Sequence, residues 1–550
     1  MEQFSMAAPL DYFYKWEHET PGNIFFRQPI PGEWRTYSFQ EAGNEIRRIA
    51  SALKALKLSP QSNIAILSKN CAHWIMADLA IWMAGHVSVP LYPTLTAPTI
   101  RLILEHSESK AIFLGKLDNF EIQRAGIPDQ LHKISFPLYG IREGEDWDHL
   151  LLRNEPLKEN GTPDGTALAT IMYTSGTTGY PKGVMVSFKS ISYVLENALR
   201  GFMLRNSNER FFSYLPLSHI AERALVEMGA LYSGSTISFS ESLEKFPVNL
   251  METQPTVFLA VPRIWAKFQE KILEKMPQKK LERILSIPLV NSIFKKTIRR
   301  KLGLGKARWI LTGAAPISKN LLEWFMKLDV VIHEVYGMTE NLAYSHINLH
   351  ELKFGTVGKA WPGIEVAISD QGEILTKHPG VMMGYYKEPS MTAEVMTQDG
   401  FLKTGDKGEV DPEGFLTITG RLKDLFKTDK GKYVAPGPIE LKLSENADIE
   451  QVCVVGMGIP QPIALIVLSA AGKVKSKGAI IESLSASLAL TNQLLEHYER
   501  LESAVIMKED WTIENGMITP TLKIKRNEVE KIHLPNYPRW FREEGVVVWE

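Results

Sequence analysis

Short apolar runs alternate with segments of helical periodicity over most of the chain. The run IAIL (Ile64–Leu67) precedes the helix-like segment CAHWIMADLAIWMAG, and the runs VSVPLY and AIFLG follow it. Strand, helix and strand in this order predict parallel strands joined by crossover helices. A second series contains FFSYLP, TISF, TVFLAVP, RWILTGAA and VVIHEVYG. The pattern therefore predicts an α/β fold with doubly wound parallel sheets.

The pattern changes near Pro362. The short runs GIEVAISD, GEILTK and GFLTITG are separated by close turns, which predicts a small β-barrel-like subdomain. Beyond Gly420, QVCVVGMG, PIALIVLS and SAVIMK are expected to be strands, and the segment from about Ser476 to Leu501 is expected to be a helix. We therefore predict a large N-terminal domain over residues 1–420 and a small α+β C-terminal domain over residues 421–550.

Composition limits the classes of function. A chain of 550 residues exceeds what one hydrophobic core usually supports, and 62 basic against 63 acidic side chains give no overall preference for nucleic acid. Cys71 and Cys453 lie far apart without metal-ligand spacing, which favours a reducing, cytoplasmic location without structural disulfides. We expect no secretory signal, and no apolar run approaches the length of a membrane span.

The segment YTSGTTGYPKGV (Tyr173–Val184) combines hydroxyl side chains with glycines, whose backbone N–H groups can surround an anion. It lies between an apolar run, Ala167–Ser175, and a segment that is expected to be helical. The Walker spacing fails, because Pro181 stands five positions after Gly176 and Gly183 follows Lys182. The segment is therefore predicted to be a phosphate-binding loop of another kind.

Five further motifs follow in order: YLPLSHIAER, GAAP, YGMTE, TGD with GRLKD, and TPTLKIKRNEV. Together with the phosphate loop, they make the chain resemble the adenylate-forming (AMP-binding) superfamily of acyl-CoA synthetases, luciferases and peptide-synthetase adenylation domains. The resemblance extends over almost the whole chain. PLYPTL (Pro90–Leu95), YLPLSHIAER, GKYVAPGPIE and TPTLKIKRNEV are most similar to the long-chain fatty acyl-CoA synthetase branch.

The resemblance implies a two-step reaction with ATP, Mg²⁺ and, as co-substrate, CoA. A fatty acid carboxylate attacks the α-phosphorus of ATP to give an acyl-adenylate and pyrophosphate, and the CoA thiol then displaces AMP. Phosphoryl-type transfer depends mainly on positioning and charge neutralisation. A long chain is expected, because each buried methylene contributes roughly 0.8 kcal/mol, with little discrimination between neighbouring lengths.

The resemblance also assigns roles to residues around the nucleotide. Tyr336 and Gly337 flank the adenine, Thr339 contacts the α-phosphate, and Asp406 with Arg421 holds the ribose. Glu340, with Thr174, is expected to hold Mg²⁺, since hard cations prefer oxygen ligands. The backbone of GAAP gives the base a flat surface through Gly313, Ala314 and Ala315. The β- and γ-phosphates are assigned to Thr174, Ser175, Gly176, Thr177, Thr178, Gly179 and Lys182.

Four further positions concern the reacting centre and domain motion. His219 is expected beside the carboxylate and phosphates, and Lys523 is expected to bridge the carboxylate and the α-phosphate. Lys525 and Arg526 follow Lys523 closely, so which basic residue reaches the site is left open. Lys423 matches the hinge, near 421–424, about which the mobile C-terminal domain reorients. Some relatives carry an aromatic gate four residues after the histidine; Arg223 stands here, so that gate is not transferred.

Two alternatives remain open at this stage. A fatty acyl-AMP ligase would pass the same adenylate to an acyl carrier protein, and a non-catalytic homologue would only bind nucleotide or fatty acid. Residues 264–308 carry 13 Lys and Arg against 3 Glu, with the apolar insert ILSIPLVNSIF in their middle. Either peripheral association with the cytoplasmic membrane face or solvated helical faces over a core would account for this composition.

Overall fold

The computed structural model describes residues 7–175, 181–204, 209–513, 515–519 and 523–550, and of Ser175 only the backbone. The predictions on Gly176, Thr177, Thr178 and Gly179 lie outside the described residues. Among the helices within these ranges, none has the length and apolar character needed to cross a bilayer.

The first sheet contains eight strands, of which the central ones are parallel. Asn63–Leu67 and Val87–Leu91 are buried along their whole length, as expected of strands covered on both faces. Helices Phe39–Ala55, Ala72–Met83, Ala97–His106, Trp147–Arg153 and Phe188–Phe202 belong to this part of the chain, with the short helices Phe120–Gln123 and Arg124–Gly126. The strand order is Gly384–Tyr385, Pro181–Ser187, Leu168–Ser175, Val87–Leu91, Asn63–Leu67, Ala111–Leu114, His132–Ser135 and Glu145–Asp146.

One part of this sheet differs from the sequence prediction. The segment after the phosphate loop is predicted to turn helical at once, but Pro181–Ser187 forms a strand antiparallel to Leu168–Ser175. The helix begins only at Phe188, where the Ser187 side chain accepts from the backbone N–H of Ser190. The apolar residues of VMVSF fit both periods, and pairing in the sheet decides between them.

The second sheet contains nine strands and a parallel centre. Strands at both edges of this sheet are antiparallel, whereas the first sheet is antiparallel only at the edge formed by Gly384–Tyr385 and Pro181–Ser187. The strand order is Lys359–Ala360, His346–Ile347, His333–Tyr336, Trp309–Thr312, Val257–Ala260, Arg210–Ser213, Thr236–Phe239, Ile24–Ile30 and Glu33–Ser38.

The helices of this second region include one irregular element. The segment AERALVEMGALY is helical, but it forms a π-helix over Arg223–Met228 between two short α-helices. π-helical turns are rare and frequently mark functional sites. The α-helices are Pro9–Glu19, Ile220–Glu222, Gly229–Ser233, Phe246–Thr253, Pro262–Lys275, Gln278–Leu285, Val290–Lys301 and Lys319–Met326.

The predicted change of pattern after Pro362 corresponds to a four-stranded antiparallel sheet. Its strands, in order, are Glu365–Ile368, Glu373–Lys377, Leu402–Val410 and Leu416–Arg421. The helix Pro389–Val395 lies between the second and third of these strands in the chain. This sheet contributes the TGD and GRLKD motifs to the site.

The C-terminal region has a hydrophobic core of its own. Two apolar clusters contain only residues from Phe426 onward, while the domain boundary near Gly420 stays a prediction. The helix predicted to reach Leu501 ends earlier, at Asn492. The strands are Phe426–Lys427, Tyr433–Val434, Ile449–Val455, Ile463–Leu468, Ala504–Ile506 and Val547–Trp549; the helices are Leu422–Asp424, Pro436–Leu443, Ala470–Lys473, Lys477–Asn492, Arg526–His533, Leu534–Asn536 and Tyr537–Arg542.

Candidate active site

Asp406 links three of the sequence motifs. Its Oδ2 accepts a hydrogen bond from the Tyr336 hydroxyl at 2.8 Å, and its Oδ1 accepts one from Nε of Arg421 at 2.8 Å. Asp406 and Arg421 face each other on adjacent antiparallel strands, so the four-stranded sheet fixes their pairing. Desolvation, followed by the nearby carboxylate, holds the pKa of Tyr336 well above its usual range. Residues of YGMTE, TGD and GRLKD therefore form one cluster.

The YGMTE segment follows the strand His333–Tyr336 and turns sharply. Thr339–Asn341 forms a single 3₁₀ turn, in which Asn341 Oδ1 accepts from the backbone N–H of Met338 at 2.8 Å. Gly337 is required by packing, because a Cβ there would lie 2.5 Å from the backbone of Ala343. Thr339 remains half-buried at the carboxyl end of the strand. Open α/β sheets present their ligand-binding loops at this end.

The GAAP segment follows the neighbouring parallel strand Trp309–Thr312. A Cβ on Gly313 would meet Val335 Cγ2 at 2.7 Å, so the adjacent strand itself excludes a side chain at this position. Ala314 has φ = +65°, a strained conformation for a residue with a Cβ, and Ala315 is exposed. The segment therefore presents backbone and small side chains beside Tyr336, and its contact with the base stays a prediction.

Glu340 is buried and held by a partner that the sequence analysis missed. The Tyr385 hydroxyl donates to Glu340 Oε1 at 2.8 Å, and the Glu340 carbonyl accepts from the backbone N–H of Met382 at 2.8 Å. None of the described residues donates a hydrogen bond to Glu340 Oε2. One carboxylate oxygen is therefore anchored while the other is left for a further ligand.

Lys182 lies beside the same tyrosine. Its Nζ is 5.2 Å from the centroid of the Tyr385 ring, and Lys182 pairs in register with Thr174 across the strands that flank the phosphate loop. Desolvation, followed by the charge of Lys423, lowers the pKa of Lys182, and Glu340 opposes this change. Thr174 and Lys182 are thus brought to the Glu340 side of the site, and Lys423 is close enough for its charge to act there.

His219 caps the short helix Ile220–Glu222. Its Nδ1 accepts from the backbone N–H of Ala221 at 3.2 Å, which leaves Nε2 as the protonated ring nitrogen. Desolvation, followed by the charge of Lys523, lowers the pKa of His219 to about 4. The imidazole is therefore neutral at physiological pH, and it can donate a hydrogen bond from Nε2.

Lys523 lies in the same cluster of charges. Its backbone is fixed by Thr519, whose Oγ1 accepts from the Lys523 N–H at 3.0 Å. Part of the residue is exposed, but crowding by neighbouring atoms, followed by the charge of Arg421, lowers the pKa of Lys523 to about 8. Asp406 and Glu340 act in the opposite direction. The C-terminal region is thus positioned with Lys523 near residues of the large region.

The neighbouring basic residue Arg526 has a structural role. Its guanidinium forms an ion pair with Glu440 and donates to the carbonyl of Val454 at 2.5 Å. It is therefore engaged within the C-terminal core, while Lys523 interacts with the charges of the site. This arrangement favours Lys523 over Arg526 among the basic residues that the sequence leaves open.

Arg223, four residues after His219, is buried in an ionic cluster. Its Nη2 donates to Asp78 Oδ2 at 2.5 Å, its Nη1 donates to Thr170 Oγ1 at 2.6 Å, and its Nε is 3.3 Å from Glu227. Desolvation, with the nearby Asp78, raises the pKa of Glu227 well above its usual range. The side chain also lies over the rings of Trp74 and Trp82. Arg223 thus belongs to the core behind the site.

Glu334 is a buried residue beside the candidate site that sequence reasoning missed. It pairs in register with Thr312, next to the GAAP and YGMTE segments, and is 8% exposed. Neither its Oε2 nor the Thr312 hydroxyl has a hydrogen-bond partner among the described residues. Desolvation raises the pKa of Glu334 to about 8. A glutamate inside the apolar run VVIHEVYG was the available signal.

The residues at the site fit a single magnesium ion that takes most of its ligands from nucleotide phosphates and water. The described residues contain no group of three or more His, Cys, Asp or Glu side chains placed to hold a metal. Mg²⁺ in nucleotide sites is usually bound by one or two carboxylates together with phosphates and waters. Glu340, with one anchored and one available oxygen, provides such a carboxylate, and Thr174 is on the same side of the site.

Two family models match the chain. The model described as AMP-binding enzyme matches residues 13–386, and the model described as AMP-binding enzyme C-terminal domain matches residues 423–533. The gap between the two matches, residues 387–422, contains Asp406 and Arg421, and Lys423 is the first residue of the second match.

Curated relatives match over nearly the full length. The long-chain-fatty-acid–CoA ligase FadD15 of Mycobacterium bovis is 29% identical, with 96% of this chain and 98% of the relative covered. The long-chain-fatty-acid–CoA ligase 5 of Mus musculus is 30% identical over 92% of this chain and 84% of its own. Among solved structures, the A domain of carboxylic acid reductase from Segniliparus rugosus superposes with a TM-score of 0.79 at 21% identity, covering 98% and 95% of the two chains.

Proposed function

This chain belongs to the AMP-binding enzyme family, and from that premise we propose that it is a fatty acid–CoA ligase. The reaction has two steps: ATP and the acid give an acyl-adenylate and pyrophosphate, and the thiol of CoA then replaces AMP. Near-full-length similarity to long-chain-fatty-acid–CoA ligases supports a long-chain acid as the substrate. The observation that carries the proposal is the cluster around Asp406, whose charges act on Lys523.

In the first step, the large region positions the nucleotide. Asp406, oriented by Tyr336 and Arg421, would accept hydrogen bonds from the ribose hydroxyls. Thr339 would donate to the α-phosphate from the 3₁₀ turn. Glu334 would accept a hydrogen bond from the amino group of the base, since a buried acceptor without a partner is costly unless a ligand satisfies it.

Charge neutralisation falls to Lys523 and to the Glu340 site. We assign Lys523 to the carboxylate of the acid and the α-phosphate, where a positive point charge stabilises the developing negative charge. His219, neutral at physiological pH, would donate from Nε2 to the same carboxylate. Glu340 and Thr174 would hold Mg²⁺, which when bound neutralises phosphate charge. Lys182 would contact the outer phosphates.

The second step requires Lys523 to leave and the thiol to enter. We assign the turn at Lys423, in the 3₁₀ segment Leu422–Asp424, as the hinge for this rearrangement. Lys423→Ala is expected to slow thioester formation at least tenfold while acid-dependent exchange of pyrophosphate into ATP is retained. Lys430→Ala, an exposed lysine nearby, is the matched control. Equal loss of both half-reactions would contradict the hinge assignment.

The acyl acceptor and chain length are tested by product analysis. Purified protein is incubated with ATP, Mg²⁺ and acids from short to very long, with either CoA or acyl carrier protein as acceptor. The proposal predicts acyl-CoA as the product, with highest kcat/KM for long chains. Formation of acylated carrier protein but no acyl-CoA would instead identify a fatty acyl-AMP ligase. Nucleotide binding without formation of any adenylate would identify a non-catalytic homologue.

The expected cellular location of the enzyme follows from its substrates. We propose a cytoplasmic enzyme, where ATP and CoA are available, that contacts the membrane peripherally, because long-chain acids partition into bilayers. The basic composition of residues 264–308 supports the second part.

A further inference from the structure

An exposed apolar edge stands out on the basic region. It consists of Ile287, Leu289, Val290 and Ile293, which are 44%, 83%, 46% and 71% exposed. These four side chains lie within seven residues: Ile287 and Leu289 lie between the helices Gln278–Leu285 and Val290–Lys301, and Val290 and Ile293 lie in the first turn of the second helix. Single exposed apolar residues are ordinary on protein surfaces, whereas a contiguous group requires an explanation.

The backbone holds this edge in a strained turn. Leu289 has φ = +68° and ψ = −47°, and the backbone N–H of Val290 donates to the carbonyl of Pro288 at 2.8 Å. This geometry is a γ-turn of the rare, strained form. The leucine adopts it while most of its side chain faces solvent, so the strain brings no burial in return. Such strain is concentrated at functional sites.

The following helix, Val290–Lys301, has two different faces. Phe294 and Ile298 pack against the core of the second sheet. Ile293, Lys296 and Arg300 lie three and four positions apart on the opposite, exposed face. Cations therefore continue the same face one and two turns beyond the apolar edge.

Most cations of the two helices that flank the edge form no ion pair within the described part of the chain. Lys295 pairs with Asp329, and Arg299 donates to backbone carbonyls, so these two are engaged in the fold. Six exposed cations of the two helices form no ion pair with any residue in the described part of the chain: Lys279, Lys280, Arg283, Lys296, Arg300 and Lys301. Their charge is available to an external anionic partner.

We propose that the apolar edge and these six cations dock on an anionic lipid surface. Leu289 and Ile293 enter the boundary between headgroups and acyl chains, while Lys296 and Arg300 approach lipid phosphates. Two contributions stabilise interfacial binding, and both are present here. The apolar edge can be buried in the lipid, and the unpaired cations can be attracted to anionic headgroups. A nucleic acid would use the charges but not the apolar side chains. The inference rests on the peripheral association proposed above and specifies its contact surface.

The test is flotation of the full chain with vesicles, without ATP or acid. Binding is expected to vesicles of phosphatidylcholine with phosphatidylglycerol at low salt, and it is expected to fall with added salt or with phosphatidylcholine alone. The double variant Leu289→Ser with Ile293→Ser should bind at least tenfold more weakly, as should Lys296→Glu with Arg300→Glu.

Matched controls separate the surface from general effects. Leu152→Ser changes a leucine that is also 83% exposed but lies on another helix, and Lys110→Glu changes an exposed lysine elsewhere; both should bind vesicles like the parent protein. All variants should retain adenylation of a long-chain acid in the absence of vesicles. Because this assay measures adenylation without vesicles, it separates an error in the proposed membrane surface from an error in the proposed ligase function.

Three results would overturn the inference. The first is no binding of the parent protein to anionic vesicles, and the second is unchanged binding by both double variants. The third is lipid-independent dimerisation that Leu289→Ser with Ile293→Ser abolishes, since the edge would then be a contact between two copies of this chain.

Discussion

Arg421 and Asp406 face each other across adjacent antiparallel strands, and Nε of Arg421 donates to the Asp406 carboxylate at 2.8 Å. The Tyr336 hydroxyl donates to the other oxygen of the same carboxylate. Both carboxylate oxygens are thus oriented, and Asp406 is nearly buried. A carboxylate held in this way is suited to accept hydrogen bonds from a pair of neighbouring hydroxyls.

Asp406→Asn is expected to raise KM for ATP about 10- to 100-fold, because hydrogen bonds to a charged group contribute roughly 1.5–3 kcal/mol. Tyr336→Phe removes one donor only and should have a smaller effect. Exchange of labelled pyrophosphate into ATP measures KM. Asp411→Asn, which changes an aspartate bound to Lys353 beyond the same strand, is the control. An unchanged KM in Asp406→Asn would contradict the ribose assignment.

The lowered pKa of Lys523 predicts that adenylation activity declines at alkaline pH. Its pKa is lowered to about 8 in the free protein, so the required cation is present below that pH and is lost as the pH rises above it. The kcat/KM of adenylation, which reports the free enzyme, should fall about tenfold per pH unit above about pH 8. In Lys523→Arg this decline should move to higher pH, since arginine stays charged. The same decline in both proteins would assign it to another group.

Tyr385→Phe is expected to weaken the response to Mg²⁺. Removing the hydroxyl leaves a buried carboxylate oxygen of Glu340 without its donor, a change of about 1–3 kcal/mol. The Mg²⁺ concentration for half-maximal exchange should rise about tenfold at fixed ATP. Tyr386→Phe removes the adjacent hydroxyl, which contacts Asn63, and should leave this concentration unchanged. An equal effect of both variants would argue against a metal-positioning role for Tyr385.

Arg223→Leu should destabilise the fold strongly. It leaves Asp78 and Glu227 buried beside each other without their cation, and breaking a buried pair in this way costs about 3–5 kcal/mol. The urea midpoint should fall, and replacing Asp78 and Glu227 by leucine in the same protein should restore much of it. Arg200→Leu, which changes an exposed arginine near Glu196, should cost less than about 1 kcal/mol. Equal midpoints for Arg223→Leu and Arg200→Leu would contradict the account of this cluster.

Much of the fold and site follows from local sequence. Apolar runs such as IAIL and VVIHEVYG became strands of parallel sheets, and YGMTE and GAAP follow adjacent strand ends. Parallel strands bring such ends together whatever the sequence distance between them, so the cluster could be anticipated. The family comparisons confirm the adenylate-forming resemblance, while the roles of individual site residues stay predictions.

Other features depend on contacts that no local pattern encodes. Glu340 and Tyr385 meet although 45 positions separate them, because Gly384–Tyr385 pairs with the strand Pro181–Ser187. The π-helix over Arg223–Met228 begins at a buried arginine that donates to Asp78 on another helix. The early end of the helix at Asn492 was missed because the periodicity alone does not mark it.

The most direct test of the adenylation site is exchange of labelled pyrophosphate into ATP, measured with and without a long-chain acid. The account predicts exchange that requires both the acid and Mg²⁺, that Lys523→Ala lowers at least a hundredfold, and that Lys525→Ala leaves within about twofold. No acid-dependent exchange from pure, folded protein at any chain length, or full exchange in Lys523→Ala, would contradict it.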